Sequence, residues 1–163
     1  MKFLLIPSAL LLFFITSSFA EEGSYEIVYI GSHELSSVNT PTGKVVAGKL
    51  EGIFTVTKSN GNLYKVGYSA KSNCAILSKN NNNNKNSSLE AFCESIDFKT
   101  GDKTFSYNIR KEGTVDSGSQ GKGKQTIVGG TGRFEGIEGE CNYLVKYLPD
   151  NKLSSTGTCK YKL

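Results

Sequence analysis

The sequence has little of what common catalytic and nucleic-acid-binding sites require. Its 163 residues include one histidine, His33, which removes most Ser-His-acid arrangements unless His33 is itself the base. The 19 basic residues are spread along the chain without a Lys/Arg run and face 15 acidic ones, so no nucleic-acid partner is expected. The four cysteines include no close Cys-x-x-Cys pair, which disfavours a zinc site. The sequence therefore predicts neither a metal nor a cofactor.

The N-terminus has the layout of a secretory signal peptide. Lys2 precedes an almost wholly apolar stretch, Phe3 to Ile15, and Ser18-Phe19-Ala20 places small residues three and one positions before a cleavage point. This stretch of about 13 residues is shorter than the roughly 20 that span a bilayer. We therefore predict that residues 1–20 are removed and that 21–163 form a single domain, secreted or periplasmic, without stable membrane insertion.

The cysteines follow this leader and lie at positions that suit two hairpins. Four cysteines allow three pairings, and an exported protein meets an oxidising compartment. Cys141 and Cys159 flank the turn signal Pro149-Asp150-Asn151, so a hairpin folding about Asp150 sets them opposite each other. Cys74 and Cys93 similarly flank an asparagine-rich run. Because cross-strand neighbours are close enough for a disulfide, the predicted bridges are Cys74–Cys93 and Cys141–Cys159.

Beyond the leader, the chain reads as short alternating runs broken by turn residues, without an apolar stripe of helical period. This pattern predicts an all-β fold, an eight-stranded antiparallel up-and-down (calycin-like) barrel with two hairpin disulfides, or a related sandwich. The expected strands are Tyr25–Ile30, Val45–Thr57, Leu63–Ile76, Leu89–Phe98, Lys103–Lys111, Gly123–Val128, Glu140–Leu148 and Ser155–Leu163.

Strand alternation predicts which side chains face the interior. Residues two apart share a face, so inward cysteines also turn Val66, Val145 and Leu163 inward. On the fifth strand the apolar positions, including Ile109, are assigned to the inner face and Ser106, Asn108 and Arg110 to the outer one. Seven aromatic rings are then expected inside, at Tyr64, Tyr68, Phe105, Tyr107, Tyr143, Tyr147 and Tyr161.

The fourth strand departs from this pattern. Facing Cys93 inward also turns Asp97 inward and exposes Phe92, Ile96 and Phe98. Exposed apolar side chains of this size usually have a cover, so either a bulge reverses the strand or a partner subunit packs there. An unpaired carboxylate inside would be costly, which favours a bulge that turns Asp97 outward over an interior acid.

A glycine-rich stretch, GGTGRFEGIEG from Gly129, lacks the spacing of nucleotide-binding loops, and strands rather than a helix are expected after it. It resembles the Gly-Gly-Thr-Gly-x-Phe signature of dirigent and allene-oxide-cyclase-like barrels, and FCESIDFKTGDKTF from Phe92 is similar to uncharacterised secreted bacterial proteins of that type. The resemblance covers roughly residues 70–148. It implies an eight-stranded antiparallel barrel, often trimeric in the plant members, with an apolar ligand cavity.

These observations lead to an expected function of binding. An absence of tryptophan argues against avidins and lipocalins, whose signatures use that residue. We expect an extracytoplasmic barrel, open at one end, that binds a small hydrophobic or aromatic molecule through the seven rings and Asp97; homo-oligomerisation is a second expectation. The alternative is an isomerase or cyclase with an interior carboxylate. Asn86-Ser87-Ser88 is a glycosylation sequon that matters only in a eukaryotic host.

Overall fold

The computed structural model describes residues 21–81, 88–110, 113 and 115–163, except the side chains of residues 80 and 81. Within these residues, eight strands form a closed barrel in which each strand pairs antiparallel with the next and the last pairs with the first. The predicted all-β barrel is therefore confirmed, while the predicted signal peptide and Asn86 lie outside the described residues. The strands are β1 (Glu22–Thr40), β2 (Gly43–Ser59), β3 (Ser69–Asn81), β4 (Ser88–Asp97), β5 (Lys103–Arg110), β6 (Gln120–Gly130), β7 (Glu138–Tyr147) and β8 (Lys152–Lys162), and a short 3₁₀ helix covers Gly132–Phe134.

Both predicted disulfides are confirmed. Cys141 lies opposite Cys159 across β7 and β8, and Cys74 lies opposite Cys93 across β3 and β4. In the β7–β8 turn Asp150 has a positive φ of 58°, a conformation that short polar side chains tolerate better than most. Each bridge joins neighbouring strands on the inner face, so the cysteines fix the orientation of four strands.

The predicted orientation of β5 is wrong. Phe105 and Ile109 are 38% and 37% exposed, and Tyr107 packs on the outer side of the barrel against Phe92, with ring centroids 4.7 Å apart. The physical reason is the register between β4 and β5, in which Ser106 pairs with the inward Cys93. Since paired residues share a face, the inner face of β5 carries its polar residues instead of its apolar ones.

β4 contains no bulge, so the favoured explanation for Asp97 is also wrong. β4 pairs with β3 and β5 without a register shift, and Asp97 is 5% exposed on the inner side. Phe92 is 63% exposed and Phe98 also lies at the surface. Cover by a partner subunit stays a prediction.

The predicted third strand begins too early. Residues 60–68 form a loop that crosses one end of the barrel before β3 starts at Ser69. Val66, expected inside, is therefore 65% exposed, while Tyr64 reaches the interior from the loop. Leu163, just beyond β8, is exposed instead of inward.

Aromatic side chains close that end of the barrel. Tyr64 stacks on Tyr25 at 4.2 Å between ring centroids, and Phe134 and Tyr161 pack against it at 5.5 and 5.4 Å. All four residues are buried. We call these four rings the plug. The opposite end of the barrel carries the β1–β2 turn, the β5–β6 connection and the β7–β8 turn.

Candidate functional site

The interior contains a cavity of about 130 Å³ that extends from the plug towards the opposite end. Tyr25 and Tyr64 of the plug form its floor, and Tyr147 and Leu153, beside the β7–β8 turn, lie near its other end. Eight-stranded barrels are either just filled by their side chains or able to hold one small ligand. The side chains of this barrel leave an interior cavity unfilled.

Apolar side chains form one wall of the cavity. They come from the inward positions of β2, β3, β4 and β8, together with the sulfurs of the Cys74–Cys93 disulfide. None of these side chains offers a strong hydrogen-bonding group to a ligand. The wall consists of Leu50, Phe54, Ile76, Leu89, Ala91 and Leu153.

Polar side chains line another part of the cavity, and β5 supplies more of them than any other strand. Thr104, Ser106, Asn108 and Arg110 line the cavity at alternate positions of that strand. Two of them are held by neighbours: Gln125 of β6 donates a 2.8 Å hydrogen bond to the Ser106 hydroxyl, and the Asn108 amide donates to the Ala91 carbonyl at 3.4 Å. The cavity therefore combines apolar side chains with a row of polar side chains along β5.

Arg110 ends this polar row at the side away from the plug. The residue is only 1% exposed, and its Nη1 donates a 3.1 Å hydrogen bond to the Tyr147 hydroxyl. A glycine on β6 provides the room, because a Cβ at Gly121 would lie 2.6 Å from Arg110 Cδ. The strand alternates inward glycines with exposed lysines, so it offers space inside and charge outside.

Two further tyrosines give the cavity neutral hydroxyl groups. Burial raises the pKa of Tyr143 to about 12, although the nearby Arg110 charge opposes the shift. Burial also raises the pKa of Tyr29, and the hydroxyl of this residue has no hydrogen-bond partner among the described residues. Both phenols stay protonated near neutral pH, so both can donate a hydrogen bond.

Residues 115–119, between β5 and β6, lie at the barrel end nearest Arg110. Gly118 N–H donates to the Tyr147 carbonyl, and Tyr147 N–H donates to the Ser119 carbonyl, both at 3.0 Å. Val115, from the same connection, packs against the buried apolar residues of the barrel. The centroid of the His33 ring lies 5.6 Å from that of the Tyr147 ring. Burial lowers the pKa of His33.

Asp97 lies outside the cavity, in a cluster beside the plug. Its carboxylate accepts hydrogen bonds from the N–H groups of Lys99 and Thr100 and pairs with Arg133 at 2.8 Å. Burial alone would raise the pKa of Asp97, but these N–H groups and the guanidinium together lower it. The Arg133 guanidinium also lies 4.8 Å from the centroid of the Tyr68 ring. Asp97 is thus a charged and fully bonded group.

The predicted site residues therefore fall into three groups. Tyr64, Tyr143 and Tyr147 line the cavity. Tyr161 belongs to the plug, and Tyr68 and Asp97 lie beside it, outside the cavity. The expectation that Phe105 and Tyr107 line the interior is wrong, because the β5 register turns both outward. Sequence reasoning missed Tyr29, Asn108, Arg110 and Gln125. Alternation would have revealed Asn108 and Arg110 once the face of β5 was known.

Comparisons with known proteins add no identity to this geometry. The chain matches no protein-family model, and no curated protein sequence is significantly similar to it. The resemblance to dirigent and allene-oxide-cyclase-like barrels stays a prediction. In the part of the chain that the structure covers, no group of three or more His, Cys, Asp or Glu side chains could hold a metal ion. No helix there is long and apolar enough to cross a bilayer.

Proposed function

We propose that this protein is an extracytoplasmic binding module that holds a small hydrophobic or aromatic molecule inside its barrel. The interior cavity carries this proposal. Its volume of about 130 Å³ is close to the roughly 150 Å³ of an engineered protein cavity that binds benzene. The apolar wall, built from Ile76, Leu89 and their neighbours, supplies the burial that drives such binding.

The compartment forms part of the same proposal. Two disulfides are consistent with an oxidising, extracytoplasmic location. Together with the leader pattern of residues 1–20, they favour a secreted or periplasmic protein. A binding module there would meet small molecules in the extracellular fluid or the periplasm.

The residues that line the cavity favour binding over the isomerase or cyclase alternative. Such an enzyme would use an interior carboxylate as its acid. Among the described residues, the cavity is lined by no Asp or Glu. The inward carboxylate predicted for this role, Asp97, is instead bonded to Arg133 beside the plug.

The test is to fill the cavity from its apolar wall. Ala91 lines the cavity, and Ala91→Leu would place extra carbon atoms within it. Ala75→Leu, on the exposed face of the neighbouring strand, is the matched control. Binding of single-ring aromatic probes, neutral and charged, is measured by calorimetry and by the rise in Tm with probe concentration.

We expect the wild type and Ala75→Leu to bind at least one probe, and Ala91→Leu to bind it at least tenfold more weakly. Native mass spectrometry of the purified protein would also show any molecule that it carries. Failure of every single-ring probe to bind the wild type would overturn the proposal. Equal loss in both variants would show that the cavity is not the site.

A further inference from the structure

The barrel closes over only part of the length of β1. β8 pairs with β1 from Glu22 to Ser32, whereas β2 continues alongside β1 as far as Thr40. Among the described residues, no strand pairs with the β8 side of β1 beyond Ser32. The stretch from Leu35 to Thr40 therefore has an unpaired side at the barrel end opposite the plug, and we call this stretch the free edge.

Alternate residues of the free edge carry the unpaired backbone groups. The N–H and C=O of one strand residue point to one side, and those of the next residue point to the other. A Cβ on Gly48 of β2 would collide with the Glu34 carbonyl oxygen, so Glu34 points towards β2. The His33 N–H points the other way and donates to the Asn151 carbonyl at 2.9 Å. Because this part of β1 has no register shift, the groups that point away from β2 belong to Leu35, Ser37 and Asn39.

The free edge has none of the features by which edge strands commonly avoid pairing. From Leu35 to Thr40 it contains no charged residue, no proline and no bulge. Glu34, just before it, pairs with Lys49 at 3.3 Å. Val38 is 67% exposed and places apolar surface on the edge. These properties suit the addition of a further strand.

A second copy of β1 matches this edge poorly. In an antiparallel self-pair centred on Ser37, the exposed Val38 would lie opposite Ser36 of the copy. A self-pair centred on Val38 would set Leu35 opposite Pro41, which has no N–H to donate. A segment of different sequence has neither restriction, because it can present a β-branched side chain to Val38 and keep its N–H groups for the edge.

We propose that the free edge binds an extended, uncharged segment of another protein as an added antiparallel strand. The backbone of the segment pairs with Leu35, Ser37 and Asn39, and a β-branched side chain of the segment packs on Val38. The added strand continues the line of β8, on the far side of the β7–β8 turn. This site is separate from the cavity and does not depend on the proposed binding of a small molecule.

Amide hydrogen exchange of the free protein gives the first measurement. We expect rapid exchange at Leu35, Ser37 and Asn39, and slower exchange at Ser36 and Val38, whose N–H groups face β2. Protection of all five amides at every protein concentration would show that the edge is already paired, and would overturn the proposal. Protection that rises with protein concentration would make a second copy the occupant, and would overturn it equally.

A capped peptide, Lys-Thr-Val-Thr-Val-Thr-Lys, serves as the probe. An excess of it should slow exchange at Leu35, Ser37 and Asn39 by about tenfold or more. With a valine of the peptide opposite Val38, the threonine N–H groups of the peptide face β1 and its valine N–H groups face away. N-methylation of the threonines should therefore abolish binding, whereas N-methylation of the valines should weaken it by no more than about twofold. Failure of the unmodified peptide to bind, or binding that survives methylation of the threonines, would overturn the proposal.

A proline substitution tests the edge from the side of the protein. Ser37→Pro removes an outward N–H and keeps the bonds between β1 and β2, so we expect a folded protein that binds the peptide about tenfold more weakly or worse. Ser37→Ala is the matched control, because it keeps the N–H and should bind as the wild type does. Wild-type affinity in folded Ser37→Pro would overturn the assignment. If Ser37→Pro does not fold, the N-methylated peptides still decide.

Discussion

At Asp97 an inward carboxylate joins three segments of the chain. It caps its own turn through the N–H groups of Lys99 and Thr100 and pairs with Arg133, which follows β6. Arg133 in turn donates to the Leu63 carbonyl at 3.3 Å, in the loop that carries Tyr64 into the plug. The negative charge of Asp97 is therefore compensated by groups of the protein itself. Its removal should affect stability rather than binding.

Asp97→Asn tests this role through stability and its pH dependence. We expect a loss of about 2 kcal/mol in the free energy of unfolding at neutral pH, because charge-assisted hydrogen bonds are lost. The folded-state pKa of Asp97 lies below its usual value near 3.8, so the unfolded chain takes up the proton first as the pH falls. The stabilisation is present above that value and disappears as the pH falls through the folded-state pKa.

Urea unfolding at several pH values measures both effects. The difference between wild type and Asp97→Asn should shrink on acidification. Glu135→Gln, at an exposed carboxylate just after the 3₁₀ helix, is the control and should behave as the wild type. Asp97→Asn with unchanged stability at neutral pH would contradict the role assigned to this carboxylate.

Arg110 shows why residue type alone could not predict the site. Arginine is almost never fully buried unless it is paired, so a sequence analysis places it outside. The aromatic residues of β5 give the opposite error. Phe105 and Tyr107 are of residue types that are usually buried, but they lie on the surface. The inward orientation of Tyr143 and Tyr147 is predicted correctly because Cys141 fixes the face of their strand.

For the strands, hairpin symmetry decides how much the sequence can predict. The β7–β8 hairpin folds about Asp150, the centre of its turn signal, so the register and the disulfide both follow. The β4–β5 hairpin is centred between Lys99 and Thr100. A centre on Gly101, the one glycine between β4 and β5, would set Cys93 opposite Ile109 instead of Ser106. Such a shift by an odd number of residues exchanges the two faces of a strand.

The two disulfides should contribute equally to stability and unequally to binding. Their cysteines are 19 and 18 residues apart, so each bridge restricts the unfolded chain by about 3 kcal/mol. We expect replacement of either pair by alanine to lower the free energy of unfolding by about that amount, as measured in urea. Only the Cys74–Cys93 bridge lines the cavity, so only its removal should also change the affinity for a ring-sized ligand.

The comparison contains its own control. The Cys141→Ala/Cys159→Ala variant should bind like the wild type although its stability falls. Because the bridges belong to separate hairpins, the effects of the two replacements should add. A large loss of binding in the Cys141→Ala/Cys159→Ala variant would show that barrel stability, and not the cavity wall, controls affinity.

At the scale of the whole molecule, the outside of β4, β5 and β6 carries an apolar patch. Phe92, Phe105, Tyr107 and Val128 form it, with Phe92 and Val128 well exposed. The ion pair of Lys103 and Glu94 borders the patch. Apolar surface rimmed by charges of both signs is complementary to a second copy of itself, which favours a homo-oligomer.

Phe92→Asp tests the homo-oligomer. A charge in the centre of the patch would be buried by association, so we expect this variant to sediment as a monomer while the wild type does not. Ile30→Asp places the same charge on the exposed side of β1, away from the patch, and should leave the assembly unchanged. A wild-type protein that already sediments as a monomer would contradict the prediction.

The pairing of β1 with β8 makes the barrel a ring with no preferred starting strand. Glu22 lies opposite Lys162, so the first and last strands are already neighbours. A circular permutant could link β8 to β1 and open the exposed β1–β2 turn. It would keep every strand pair and lose only the covalent connection between β1 and β2. Strand order along the gene is therefore separable from strand order in space.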